Sequence, residues 1–350
     1  MKIFHNKTKE AFVEEISDKI RDVMTGLHGF GEVVDVVRES EVERTFSRLT
    51  WLKILFHGGH KTVVVKTPKG FYRDDDVITR KYREIYEWEY NASRDLLKKF
   101  EGVEGFKAVR AIGFFPDVPA LVTEEIKGCN LGEIILKKGR WYPDGVTRKE
   151  LETICVAAGR SLKILQTRTK HPTQKLSIEE MARYVDQRLI KLIEGKISNV
   201  DQALRKKVLR KFERAHREIP PSDLAMATAH GDFSPSNIMY TGSEIVMIDL
   251  SRYRTASIFY DLTRLCHQLS MYAIKPSFRD VLISSLKEAV MKGYDVDLGT
   301  NSYLFKLYTI QHLLCHWSGH VYQGDISFKE RLYNRWVCHR HRSELEYLLA

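Results

Sequence analysis

Five cysteines in 350 residues are few, and they stand apart. Cys129, Cys155, Cys266, Cys315 and Cys338 are odd in number, scattered, and never form a C-x-x-C pair. That argues against a disulfide-framed secreted domain or a zinc ribbon and fits reduced thiols. No run approaches eighteen apolar residues, which argues against a membrane-spanning helix. Residues 1–6, followed by Lys7, Lys9 and Glu10, lack a secretory apolar core. The expectation is a cytoplasmic protein. Internal repeats, low-complexity tracts and long Pro/Gly/Ser linkers are missing as well, so any boundary between parts of the chain is a short hinge.

What is present is material for a folded core: 43% of residues are apolar and 29% charged, which argues against global disorder. Fifty-six Lys and Arg against 46 Asp and Glu leave a net charge of +10. Such a field favours an anionic partner without choosing among nucleotide, phosphorylated sugar, nucleic acid and acidic membrane surface.

Apolar residues at three- and four-residue steps from Phe12 to Leu27 predict an amphipathic helix ending near 26–31. Strand-like segments follow at 32–38, 45–56 and 61–67. Gly58-Gly59 turns the last two into a hairpin, and the three read as an antiparallel meander. After a charged loop at Arg73, Asp74, Asp75 and Asp76, helical spacing runs over 77–100, and two strands are expected at 106–114 and 120–123. From 130 onward the pattern is mostly helical (150–165, 178–193, 200–219, 260–272, 278–291, 303–320 and 328–349), with one β-rich interruption at 236–249. The reading is α+β: an N-terminal lobe over 1–123, a hinge over 124–129 and a helical lobe over 130–350.

The strongest chemical signal is His230-Gly231-Asp232-Phe233-Ser234-Pro235-Ser236-Asn237, followed after an apolar strand by Asp249. An Asp, an Asn five positions later and a second Asp ending the next strand suit a metal-bound polyphosphate. Asp232 would orient the proton of an attacking hydroxyl, while the Asn237 amide oxygen and the Asp249 carboxylate supply hard oxygen ligands for Mg2+. The plainer reading, a loop whose Asp and Asn satisfy turn amides, is disfavoured because further parts fall in order.

In the strand at 62–66, alternation puts Thr62, Val64 and Lys66 on one face. Lys66 is placed to reach nucleotide phosphates, with Val64 an apolar roof for the base; an ordinary edge-strand lysine is the competing reading. Glu89 shares a helical stripe with Ile85, Ala92 and Leu96, and a glutamate on an apolar face needs a cation. It is therefore the expected partner of Lys66, with Glu84 the weaker candidate. The strand at 120–123 runs into a polar hinge, where backbone groups of Glu124 and Ile126 suit an adenine edge. An ordinary strand exit explains that segment equally well.

Together these residues resemble the aminoglycoside phosphotransferase and choline kinase superfamily, small-molecule relatives of protein kinases. His230 to Asn237 is similar to its catalytic loop, Ile248-Asp249-Leu250 to its metal-binding segment, and Asp261 to its second aspartate. The resemblance runs from about Thr45 to Leu269. It implies a protein-kinase-like two-lobed fold, ATP and Mg2+ as cofactors, and Asp232 as catalytic base. It also implies Asn237 and Asp249 as metal ligands, a Lys66–Glu89 pair that orients phosphates, and His230 and Asp261 as structural supports of the loop. Gly231 in place of the usual arginine, and the lack of an A-P-E segment after Asp249, argue against a protein kinase. The turn at 43–48 lacks the expected glycines, so Ser47 and Arg48 are left to cover the phosphates by side chain.

The implied reaction moves the γ-phosphoryl group of ATP to a hydroxyl on a small molecule, with a sugar or sugar-containing compound as the expected acceptor. Basic runs at Arg205-Lys206-Lys207, Arg210-Lys211 and Arg335, Arg340, Arg342 admit an anionic saccharide, or a glycolipid reached by peripheral membrane contact. Nucleic acid is the weaker option, since no binding motif accompanies the charge. The competing class is a non-catalytic kinase-like module that binds nucleotide or a partner. His312, His316 and His320 fall at i, i+4 and i+8; one straight helix offers poor geometry for tetrahedral zinc, so a packed or polar helix face is the favoured reading.

Overall fold

The computed structural model describes residues 9–25, 32–69, 77–171, 174, 176–197, 200–295, 302–319 and 327–350. The charged loop expected around Arg73 and the third histidine of the 312–320 series lie outside them. Up to Gly128 the chain forms α1 (Lys9–Thr25), β1 (Val33–Glu43), β2 (Ser47–Phe56), β3 (Gly59–Pro68), α2 (Val77–Lys99), β4 (Phe106–Ala108), β5 (Ala111–Phe115) and β6 (Ala120–Glu124). Then come β7 (Cys129–Asn130), α3 (Leu131–Lys138), α4 (Gly145–Arg168), α5 (Ile178–Glu194), α6 (Gln202–Glu213), α7 (Ala215–Glu218), β8 (Met226–Ala229), β9 (Ile238–Tyr240), β10 (Ile245–Met247) and β11 (Arg254–Ser257). The chain closes with α8 (Ile258–Ala273), α9 (Asp280–Tyr294), α10 (Tyr303–Gly319) and α11 (Phe328–Leu349). Two compact units result: Met1–Gly128 with Met239–Tyr253, and Cys129–Ile238 with Arg254–Ala350.

The first unit is built on a five-stranded antiparallel sheet in the order β1-β2-β3-β6-β5. Period-two alternation gives the sheet two apolar faces, and each is covered. Ile16, Ile20 and Met24 of α1 pack on Leu52, Ile54, Val63, Val65 and Val122; Tyr86 of α2 packs on Ala111 and Leu121. Both faces are thereby removed from water, at roughly 25 cal/mol per Å2 of apolar surface. The expected single strand over 106–114 is in fact two. The Ser93 hydroxyl of α2 donates to the Val109 carbonyl and accepts from the Ala111 amide, which interrupts the ladder. β4 then pairs in parallel with β10, and β5 stays in the main sheet.

In the second unit the helices begin where short polar residues cap them. Asn130, Asp144, Ser177 and Asp201 each accept a hydrogen bond from an amide of the first turn, and Ser327 with Glu330 forms a reciprocal capping box. The long α4 lies close against α9: a Cβ on Gly159 would fall 2.1 Å from the Val290 carbonyl oxygen, and one on Gly293 2.0 Å from that of Val156. The helix expected over 200–219 stops at Glu213, with the single turn α7 beyond it. β8 and β11 form a two-stranded antiparallel ribbon, each too short to show a period in sequence. Among the described residues no helix is long and apolar enough to cross a membrane.

Candidate functional site

In the first unit, alternation along β3 buries Val63 and Val65 against α1 and turns Lys66 to the α2 side. There its ammonium donates to both carboxylate oxygens of Glu89, at 3.1 and 2.8 Å, and to Asp249 Oδ1 at 2.9 Å. The Lys66 and Glu89 side chains are only 17% and 6% exposed, so this is a desolvated ion cluster. Burial works against the ammonium, but Glu89 and Asp249 outweigh it and hold the Lys66 pKa above the ordinary lysine value. Burial raises the Glu89 carboxyl, opposed by Lys66 and by a backbone bond from Leu250.

Asp249 takes a left-handed backbone conformation, φ 60°, and also accepts from the Ser251 hydroxyl at 2.9 Å. The turn it begins is pinned to α2. Trp88 Nε1 donates to the Tyr253 carbonyl at 2.9 Å, and Lys99 donates to the Tyr253 hydroxyl at 2.9 Å.

In the second unit the 230–237 loop hangs on one buried carboxylate. Asp261, on the first turn of α8, accepts from the His230 amide at 2.6 Å and the Gly231 amide at 3.1 Å. Gly231 has φ 85°, a conformation that penalises any side chain. This gives a physical reason for glycine where protein kinases carry arginine. Burial raises the Asp261 carboxyl, against the pull of His230 and the two amides. The Asn237 amide group donates to the Asp232 carbonyl at 3.0 Å, closing the loop from its far end.

Arg264, one turn after Asp261, donates from Nε and Nη2 to Asp232 Oδ1 at 3.1 and 2.9 Å. Sequence reasoning missed this arginine. Its spacing of three from Asp261 on a helix was the available signal, because i and i+3 share a face.

The remaining first-lobe residues divide. Arg48 is engaged by Glu41 at 3.4 Å and Glu43 at 3.1 Å, and the Ser47 carbonyl accepts from the Arg44 amide within the same turn. The Glu124 amide is spent on the Arg110 carbonyl at 2.9 Å. Glu124 and Ile126 do line a cavity of about 420 Å3 with Lys61, Lys107 and Glu244. Val64, Lys66 and Asp249 are not among its lining residues, so the cavity and the ion cluster are separate features.

Of the histidine series, His312 and His316 lie on a packed helix face. His312 bonds the Tyr260 carbonyl at 3.1 Å, and His316 Nδ1 lies 2.9 Å from His341 Nε2. His267 sits among all three, ring centroids 5.9 to 6.4 Å away. Among the described residues no group of three or more His, Cys, Asp or Glu is arranged to hold a metal ion. Mg2+ does not need such a cage. It is commonly held by one or two protein oxygens with phosphate and water completing the shell; Asn237 in the second unit and Asp249 in the first each carry an oxygen of the type it takes.

Comparison with curated proteins by sequence finds no match. Among solved structures, the choline kinase LicA from Streptococcus pneumoniae is similar over 95% of this chain and 99% of its own, with TM-score 0.53 and 15% identity. A choline kinase from Cryptosporidium parvum Iowa II is similar over 96% of both chains, TM-score 0.55, 12% identity. The aminoglycoside phosphotransferase APH(4)-Ia, solved as a ternary complex with ADP and hygromycin B, is similar over 94% of this chain and 98% of its own, TM-score 0.56, 11% identity. These structural similarities, at such low identity, show the kinase-like fold alone. The model of the phosphotransferase enzyme family known as APH matches residues 106–295, which takes in the 230–237 loop, Asp249 and Asp261, and on that match the chain belongs to this family.

Proposed function

We propose that this phosphotransferase moves the γ-phosphoryl group of ATP to a hydroxyl of a small molecule, a sugar or sugar-containing compound that is anionic or lipid-linked. The observation that carries the reading is the state of the 230–237 loop. Its backbone is braced by Asp261, and its Asp232 side chain is held by an arginine on one oxygen only.

Both bonds from Arg264 go to Oδ1, which leaves Oδ2 as the oxygen offered to a proton. Asp232 takes the proton of the acceptor hydroxyl as that oxygen bonds to the γ-phosphorus and the bond to the bridging oxygen of ADP breaks. Lys66, kept cationic by Glu89, orients the phosphates. Asn237 and Asp249 would hold Mg2+, which would supply charge neutralisation at the phosphates. His230 and Asp261 keep the loop in shape and move no proton. Val64, Glu124 and Ile126 supply the surfaces for the base.

The sugar class rests on the net charge of +10 and on a fold shared with a structure solved with ADP and hygromycin B. The competing reading, a nucleotide- or partner-binding module, draws on one observation: Arg48 beside the glycine-free turn is already paired with Glu41 and Glu43. Mg2+-dependent ADP release across aminoglycosides, choline, simple sugars and phosphorylated or lipid-linked saccharides separates the two. Release stimulated by one acceptor class and lost in Asp232→Asn is expected. Absence of release from every acceptor, together with no thermal shift on adding Mg·ATP, establishes the module instead.

A further inference from the structure

Helix α11 is apolar on two sides. Val337, His341, Leu345 and Leu348 are buried against the unit. On the opposite side Phe328, Leu332, Trp336 and Tyr347, at helical spacings of four, four and eleven, stand in solvent; Phe328 is 76% and Leu332 60% exposed. An amphipathic helix needs only the first set.

The second set does not end with the helix. Trp336 Nε1 donates to the Ile274 carbonyl at 2.9 Å. This brings α11 beside the 273–280 segment and opens a groove of about 690 Å3 between them. The same segment meets the α3–α4 loop: the Trp141 amide donates to the Ser277 carbonyl at 2.6 Å, and the Arg279 guanidinium lies 4.4 Å from the Tyr142 ring centre. Trp141 and Tyr142 are 63% and 75% exposed, and Trp141 holds a left-handed φ of 62°. A non-glycine residue meets steric strain there, at a tryptophan whose ring points to water. Three chain segments therefore present indole, phenol and aliphatic groups on one continuous face.

Cations frame it. The groove is lined by Lys275, Arg279, Lys329 and Arg340, and its one carboxylate among the described residues, Asp280, lies 3.4 Å from Arg340. Exposed Trp and Tyr interleaved with Lys and Arg match the headgroup zone of a bilayer, where aromatic rings sit at the interface and basic side chains meet anionic lipid. The same charge argues against a second copy, because a two-fold contact through this face would set cations against cations.

We propose that the face formed by α11, the 273–280 segment and the Trp141–Tyr142 loop docks on an anionic lipid bilayer surface. This inference does not depend on the phosphotransfer reading, since none of its residues belongs to the 230–237 loop or the Lys66 cluster.

The test uses the full chain sedimented with vesicles of phosphatidylcholine alone or of equal parts phosphatidylcholine and phosphatidylglycerol. Binding is expected to the anionic vesicles only, to weaken as salt is raised, and to shift tryptophan emission to the blue. The double variant Lys329→Glu with Leu332→Ser, both positions exposed, is expected to lower binding roughly ten-fold with an unchanged melting temperature. Lys206→Glu with Lys207→Glu on α6 changes net charge even more and is expected to leave binding near the native level, as is Asp232→Asn. Three outcomes overturn the proposal: no binding to anionic vesicles, equal loss from the α6 variant, or a solution dimer dissolved by Leu332→Ser.

Discussion

Each unit buries a cluster of ionisable side chains, and the two clusters solve the cost of burial in opposite ways. In the first unit Lys66 keeps its charge by standing within 2.8 to 3.1 Å of the Glu89 and Asp249 carboxylates. In the second, His267, His312, His316 and His341 crowd together with no carboxylate among them in the described residues, and burial disfavours the charged forms of His267 and His312. Burial, with Arg264 and Arg254 beside it, pushes His312 down to about 3, and burial together with the three neighbouring imidazoles pushes His267 well below its ordinary value. Neither ring nitrogen of His267 has a hydrogen-bond partner among the described residues. Desolvation penalises charge in both places; only the presence of a counter-ion decides which form survives.

Removing that counter-ion breaks the comparison most sharply. Glu89→Ala leaves the Lys66 ammonium buried with Asp249 alone, and a loss of about 3 kcal/mol in denaturant unfolding is expected. The double replacement Lys66→Met with Glu89→Leu is expected to recover most of that stability while phosphotransfer stays lost, which separates an ionic role in chemistry from a role in folding.

The histidine cluster makes the complementary case through pH. A histidine whose folded pKa lies below its unfolded value of about 6.5 contributes its full stability above 6.5 and loses it as pH falls toward the folded value. The expected loss is roughly 1.4 kcal/mol per histidine for each pH unit in that window. Melting temperatures should therefore fall between pH 7.5 and 5.5 and fall less in His267→Leu, which also removes an unsatisfied polar group. A flat profile for the native chain would show that these rings do not stay neutral.

The Arg264–Asp232 pair lies between the two cases, with side chains 19% and 26% exposed. Partial hydration weakens its contribution to folding, and Arg264→Lys is expected to cost no more than about 1 kcal/mol. It should nonetheless lower kcat more than KM for the acceptor, because the bond sets the orientation of the proposed base. A change confined to KM would reassign Arg264 to acceptor binding.

Much of this was legible beforehand because the signals are local. The His230–Asn237 spacing, the alternation at 62–66 and the apolar stripe through Glu89 are read within a few residues, and the Lys66–Glu89 pair follows from a carboxylate on an apolar helix face. Arg264 was missed because its partner is 32 positions away. Its one local signal, the i+3 spacing from Asp261, does not by itself separate it from a solvated arginine. The break between β4 and β5 depends on Ser93, in another element. The return of Met239–Tyr253 to the first unit joins segments more than a hundred residues apart.

The sequence by itself determined the longer elements, the His230–Asn237 motif and the pairing of a strand lysine with a helix glutamate, since periodicity and charge on an apolar face act over one or two turns. Only the tertiary structure decided which oxygen of Asp232 is bound, that four histidines from three helices share one dry pocket, and that α11 keeps a second apolar face in water. Those are outcomes of desolvation, which depends on what the rest of the chain places around a side chain.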